Sequence, residues 1–178
     1  DRPWKSTASA TTLRGEWVQA FKSAGVSQGG LSRRGEWESR QPSGQLNPLA
    51  LRTTPWAELD PDGRLFGELV PCFETRCRRT VWTLYRFHGA TIEVALDLGE
   101  VIAGDRAEPI LELELELKSG APEALFILGR DIASVQAVLP CDQSKAERGY
   151  RLAQGLAQPA TPAAALRLSA NATPLEAA

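Results

Sequence analysis

The sequence places three acidic side chains at alternate positions of one segment. Residues 111–118 read Leu-Glu-Leu-Glu-Leu-Glu-Leu-Lys, and this alternation predicts a β-strand with one leucine face and one acidic face. Glu112, Glu114 and Glu116 would stand roughly 7 Å apart along that strand. Neighbouring acids repel by about 0.6 kcal/mol in bulk water, but by about 2–2.5 kcal/mol at an effective dielectric constant near 20. If the row is shielded from water, it therefore requires nearby cations.

Two basic residues lie where they could supply that charge. Ser144 begins a capping box, so Lys145 falls in the first turn of a helix, facing the positive end of the helix dipole. It is either an exposed lysine or one that reaches an anion. Arg79 lies on a predicted strand followed by strands bearing Asp97 and the acidic row. These charges either balance one another, or the carboxylates hold a metal while the cations hold phosphates.

The elements that position these residues are predicted to form an antiparallel meander over residues 73–118. A helix beginning near Pro122 follows it, because proline and the adjacent Glu123 suit a first helical turn. Apolar residues recur along this helix at helical spacing, at Leu125, Leu128, Ile132 and Val135. The helix should therefore pack on the leucine face of the 111–117 strand. That packing would turn the glutamates to the opposite side of the sheet.

The remainder of the chain is predicted to be one domain with loose ends. Residues 1–12 show no periodicity, and we expect them to be poorly ordered. Strands at 16–22 and 32–39 would form a hairpin, followed by short helices near 49–51 and 55–59. The Ala/Pro-rich residues 156–178 are expected to be a flexible tail or linker.

Composition argues against several function classes. The formal net charge of -2 provides no strong field for nucleic acid or an anionic membrane, and no apolar run approaches transmembrane length. The three cysteines (Cys72, Cys77 and Cys141) have no metal or redox spacing, and their odd number favours reduced thiols in a cytoplasmic protein. With His88 the only histidine, hydrolase chemistry built on a histidine base is not expected.

Several ordered motifs resemble those of the CYTH domain, the triphosphate tunnel metalloenzyme superfamily, and most of all its bacterial inorganic triphosphatase branch. The resemblance covers residues 13–155. It is carried by Trp17–Lys22, by Arg34-Gly-Glu36-Trp37, by Arg79 three residues before Trp82, by Thr91–Gly120, and by Ser144-Lys145-Ala-Glu-Arg148-Gly-Tyr150. It implies an α+β fold, an antiparallel β-barrel enclosing a polar tunnel with helices packed outside.

The resemblance also implies a function and a set of site residues. It implies metal-dependent hydrolysis of inorganic triphosphate to diphosphate and phosphate, without a histidine or thiol. The cations that would bind the triphosphate are Lys22, Arg34, Arg79 and Lys145. The carboxylates that would hold Mg²⁺ or Mn²⁺ are Glu36, Asp97, Glu112, Glu114 and Glu116.

One motif of the family is missing from this sequence. Relatives open with a strand carrying Glu-x-Glu-x-Lys, and residues 1–12 do not supply it. We therefore expect a barrel that is incomplete at its N-terminus and an impaired activity. The alternatives are a non-catalytic module that binds polyphosphate or nucleotide, and the same fold acting on thiamine triphosphate or, as an adenylate cyclase, on ATP. A helical CHAD domain follows the CYTH domain in many relatives, which makes it a candidate partner in the full-length protein.

Overall fold

The computed structural model describes residues 7–13 and 15–157, with side chains described for 15–27 and 29–157. Its strands are β1 (Thr7–Leu13), β2 (Glu16–Lys22), β3 (Val26–Gln28), β4 (Leu31–Arg33), β5 (Glu36–Gln41), β6 (Glu74–Phe87), β7 (Ala90–Ala103) and β8 (Arg106–Ser119). Its helices are α1 (Pro48–Leu51), α2 (Trp56–Leu59), α3 (Arg64–Gly67), α4 (Glu123–Val135) and α5 (Lys145–Ala153). None of the helices described is long and apolar enough to cross a membrane.

The long strands β6, β7 and β8 form one antiparallel sheet in that order, which confirms the predicted meander. Arg79 of β6 lies opposite Asp97 of β7, and Asp97 lies opposite Glu112 of β8. Ala95 lies opposite Glu114, one step further along the same face. Since side chains alternate along a strand, this register places the arginine and the acids on one face of the sheet. Strand β7 continues without interruption to Ala103.

Helix α4 covers the other face of this sheet. A core formed by Ala90, Ile92, Ala124 and Leu128 joins the helix to the sheet, and Leu115 and Leu117 of β8 pack against it. The predicted packing of this helix on the leucine face is therefore confirmed. Leu111, at the far end of the row, remains 77% exposed.

Helix α5 packs on the face that carries the acids. Leu152 of α5 joins Val101 and Ala103 of β7 and Ile110 of β8 in a second core. The helix begins as predicted, since Ser144 accepts a hydrogen bond from the Glu147 amide and Glu147 accepts one from the Ser144 amide. This packing lays the first turn of α5 beside the acidic row.

The first part of the chain forms a separate antiparallel sheet in the order β1-β2-β5. Phe21 is fully buried and contacts the rings of Trp37 and Trp56, with centroids 5.7 and 6.1 Å away. Where the sequence predicted one returning strand over residues 32–39, the chain is divided at Gly35 into β4 and β5. A Cβ atom at Gly35 would lie 2.4 Å from the Trp37 ring, so a larger residue there would require the ring to move.

Residues 1–12 show no periodicity in the sequence, yet Thr7–Leu13 forms strand β1 and pairs with β2 along its whole length. Its composition of Thr, Ala and Ser lacks the apolar alternation by which a strand is recognised, and pairing with β2 satisfies its backbone instead. Residues 1–6, residue 14 and all but the first two residues of the predicted tail at 156–178 lie outside the described residues.

The predicted α+β class, with antiparallel sheets and helices packed on them, is confirmed. The closed barrel is not. Among the strands described, β6 and β8 both end their sheet, and the sheets β1-β2-β5, β3-β4 and β6-β7-β8 remain separate.

Candidate functional site

Arg79 is the first component of a charged cluster on the acidic face of the β6-β7-β8 sheet. Its Nε and Nη2 atoms donate to the two carboxylate oxygens of Asp97 at 2.7 and 2.6 Å, in the planar paired geometry typical of arginine and carboxylates. Nη2 also donates to Glu114 Oε2 at 2.6 Å. The cross-strand register explains both contacts, since the three residues lie on adjacent strands and share a face.

Lys145 completes the cluster from the first turn of α5, which packs on the acidic face of the sheet. Its Nζ lies 2.8 Å from Asp97 Oδ2, 2.9 Å from Glu112 Oε2 and 2.6 Å from Glu114 Oε1. Three carboxylates therefore converge on one ammonium group. Lys145 is the lysine that reaches an anion, and in this structure the anions are side chains of the protein itself.

The pKa values of Arg79, Asp97, Glu114 and Lys145 shift in the direction that keeps these four side chains charged. Burial alone would raise the pKa of Asp97 and of Glu114, but their hydrogen bonds to Arg79 and Lys145 outweigh it and lower both values. The hydrogen bond to Asp97 raises the pKa of Arg79. Burial tends to lower the pKa of Lys145, yet its carboxylate partners raise it above the ordinary value. These four side chains are thus fully charged at neutral pH.

A second layer of charges supports the first and was missed by the sequence reasoning. Arg148 donates through Nη1 to Glu112, and its Nε lies 3.6 Å from Glu108 Oε2. Arg151 donates through Nη2 to Glu108, at 2.5 Å from Oε2. The spacing of Lys145, Arg148 and Arg151 by three residues, one helical turn apart, was a usable signal for one basic face on α5.

Not all of the predicted site residues join this cluster. Glu116 pairs with Lys118 at 2.8 Å, further along β8. Lys22 pairs with Glu36 at 2.5 Å across β2 and β5, in the other sheet. Arg34 is exposed between β4 and β5 and makes no ion pair within the part of the chain that the structure describes. The structure therefore brings together Arg79, Asp97, Glu112, Glu114 and Lys145.

The donor set of the cluster suits a divalent cation. Carboxylate oxygens are the ligands that Mg²⁺ and Mn²⁺ prefer, and the oxygens around Lys145 already surround a positive group. Within residues 7–13 and 15–157, however, no three Asp, Glu, His or Cys side chains are arranged closely enough to form a metal site as the structure stands. The ammonium of Lys145 takes the position at which a cation would meet the three carboxylates.

Comparison with known proteins adds two findings. The sequence model of a protein family described as the CYTH domain matches residues 11–150. The chain is also 43% identical over 84 residues to a protein of Haemophilus influenzae named inorganic triphosphatase. That alignment includes 47% of this chain and 24% of the relative, so the chain spans about a quarter of the length of the curated relative that it matches.

Proposed function

Because the chain belongs to the CYTH domain family, we propose that it hydrolyses inorganic triphosphate to diphosphate and phosphate in a metal-dependent reaction. The observation that carries this proposal is the convergence of Asp97, Glu112 and Glu114 on Lys145, with Arg79 beside them. Such a group offers both carboxylate oxygens for a metal and N–H donors for phosphate oxygens. The relative named inorganic triphosphatase supports the choice of substrate.

In this proposal Arg79 and Lys145 bind the phosphate oxygens. Both now donate to carboxylates, and they would donate to phosphate once those carboxylates have another cation to balance them. The planar guanidinium of Arg79 suits two oxygens of one phosphate, whereas the Lys145 ammonium can approach several. A divalent metal held by Asp97, Glu112 and Glu114 would supply further charge neutralisation and lower the pKa of a bound water.

The reaction itself requires little proton chemistry from side chains. Water adds to the terminal phosphorus, the bond from that phosphorus to the bridging oxygen breaks, and diphosphate leaves. The lowered pKa values of Asp97 and Glu114 make these carboxylates weak proton acceptors. We therefore assign the cluster to positioning and charge stabilisation, which dominate phosphoryl transfer.

The remaining predicted residues belong to the proposal as a second group. Lys22 and Arg34 would bind phosphate from the side of β2 and β5, and Glu36 and Glu116 would provide further carboxylates.

A second candidate is a non-catalytic module that binds polyphosphate or a nucleotide. The complete internal pairing of Arg79 and Lys145 favours it, because no carboxylate in the cluster is left without a basic partner. In this case tripolyphosphate binds and is not consumed. Calorimetry together with a turnover assay distinguishes the two candidates.

Phosphate release with Mg²⁺ or Mn²⁺ tests the leading proposal, using tripolyphosphate, thiamine triphosphate and ATP as a panel. We expect tripolyphosphate to be preferred, and Glu114→Gln to lower phosphate release about 100-fold by removing a charge that positions the site. Glu100→Gln is the matched control, because Glu100 is an exposed glutamate on the opposite face of the same sheet. If no substrate yields phosphate even after a Glu-x-Glu-x-Lys strand is added to the chain, the proposal is wrong.

A further inference from the structure

One aspartate joins the two parts of the molecule. Apart from the local hydrogen bond from the Cys72 thiol to the Val70 carbonyl, every hydrogen bond in the described chain between residues 15–70 and residues 71–157 ends on the carboxylate of Asp142. The Ser27 hydroxyl donates to Oδ1 at 3.3 Å, the Gly29 amide donates to Oδ2 at 3.2 Å, and the Gly30 amide donates to Oδ1 at 2.6 Å. The tip of the β3-β4 hairpin is thereby attached to the loop between α4 and α5.

The hairpin turn is shaped to receive this carboxylate. Gly29 and Gly30 have φ values of +61° and +83°, which only glycine adopts readily. Successive amides in a turn form a concave group of N–H donors that binds an anion. A side chain at Gly30 would also lie 2.9 Å from the Pro140 side chain, so the turn fits closely against the segment that contains Asp142.

The position of Asp142 connects this contact to the charged cluster. Asp142 lies two residues before Ser144, the N-cap of α5, and three before Lys145. The hairpin that Asp142 contacts lies between two basic residues in the sequence, because Lys22 ends β2 and Arg34 follows β4. One short segment thus contacts the hairpin at Asp142 and enters the cluster at Lys145.

We propose that Asp142 is a positioning residue that sets the distance between two basic residues of the first part of the chain, Lys22 and Arg34, and those of the cluster, Arg79 and Lys145. Without this carboxylate the two groups would move independently, and a triphosphate would contact one group at a time. This inference rests on the proposed function, because it assigns both groups to the same ligand. Asp142 does not itself contact that ligand.

The first test compares Asp142→Ala with Asp131→Ala in the full chain. Asp131 is an exposed aspartate on α4, on the far side of the sheet, so its replacement makes the same change in net charge. We expect Asp142→Ala to weaken tripolyphosphate binding about tenfold, because the competent arrangement is less populated. Binding of Mn²⁺ alone should change less than about twofold, since the cluster carboxylates lie within one sheet. In turnover the KM should rise while kcat at saturation stays unchanged. The proposal is overturned if Asp142→Ala and Asp131→Ala bind tripolyphosphate with equal affinity. It is also overturned if Asp142→Ala loses as much affinity for Mn²⁺ as it loses for tripolyphosphate.

The second test replaces the ionic contact with a covalent one. Ser27→Cys and Asp142→Cys are combined in a chain whose three native cysteines are changed to serine. Oxidation should form a disulfide and restore tripolyphosphate affinity relative to the reduced form of the same protein. If the disulfide fails to form, the hairpin and the loop are not adjacent in solution, and if it forms without restoring affinity, the contact does not position the ligand. Disulfide formation is measured without any substrate, so it tests the contact between the hairpin and the loop even if the wild-type chain neither binds nor hydrolyses tripolyphosphate. A wild-type chain that neither binds nor hydrolyses tripolyphosphate would count against the proposed function alone.

Discussion

Replacing Asp97 with asparagine tests how strongly the charged cluster is coupled to the fold. The Asp97 side chain is 0% exposed, and it accepts hydrogen bonds at 2.7 and 2.6 Å from Arg79 and one at 2.8 Å from Lys145. Asparagine has nearly the same volume, so the change removes a charge without creating a cavity. Two cations then lose their most buried partner.

The expected cost follows from the partners that remain. Breaking a fully buried ion pair costs about 3–5 kcal/mol. The Arg79 side chain is 39% exposed and keeps Glu114, and Lys145 keeps Glu112 and Glu114. Solvent screening and these remaining pairs reduce the cost, so we expect the free energy of unfolding to fall by about 2 kcal/mol.

Urea denaturation at pH 7, followed by circular dichroism, measures this loss. Asp131→Asn is the matched control, and its free energy of unfolding should stay within about 0.5 kcal/mol of wild type, as for most surface changes. A value for Asp97→Asn within the same range, or a stabilisation, would contradict this expectation. It would mean that desolvation of Asp97 cancels its ion pairs.

Three further predictions address pH, ligand coupling and the second layer of charges. Folding lowers the pKa values of Asp97 and Glu114, so these carboxylates stabilise the chain above their unfolded pKa values near 4, and the stabilisation disappears as the pH falls through the lower folded values. The free energy of unfolding, measured as a function of pH, should therefore decline below about pH 4, and Asp97→Asn should reduce this decline. An unchanged decline in Asp97→Asn would contradict this. Because Arg79, Lys145 and Arg148 balance three carboxylates, neither a metal ion nor triphosphate alone meets a net opposite charge in the cluster. Calorimetry should therefore show that each ligand tightens the binding of the other by the same factor. Independent binding of the two ligands would contradict this charge balance. Arg148→Ala should lower the free energy of unfolding by about 1–2 kcal/mol in thermal unfolding, because Glu112 loses a partner in a site that is only partly exposed. Arg148→Lys keeps the positive charge and should recover part of that loss. Equal losses in the two variants would exclude a charge effect.

Local sequence pattern was sufficient to predict the sheet that carries the cluster. The Leu-Glu alternation determines which side chains of β8 share a face, and the apolar spacing of α4 determines which face is covered. The capping box at Ser144 located the start of α5, and with it Lys145. Each of these patterns lies within a single element, which is why it can be read from the sequence.

Contacts between distant residues could not be predicted in the same way. The Glu108–Arg151 pair and the attachment of Asp142 to Gly30 join residues 43 and 112 positions apart, and no local periodicity records them. Strand β1 was missed because its pairing with β2, not its own composition, makes it a strand. Glu116 shares the acidic face as predicted, but the position of α5 determines which acids the basic residues reach, and Glu116 instead pairs with Lys118.

A ³¹P NMR spectrum of tripolyphosphate mixed with the chain and Mg²⁺ is the most direct test of the proposed hydrolysis, because one spectrum reports both binding and bond cleavage. We predict that the tripolyphosphate signals shift or broaden on mixing and are then replaced by those of diphosphate and phosphate. We also predict that Glu114→Gln slows this replacement, while Glu100→Gln does not. Tripolyphosphate signals that remain unshifted, unbroadened and undiminished would contradict the proposed hydrolysis.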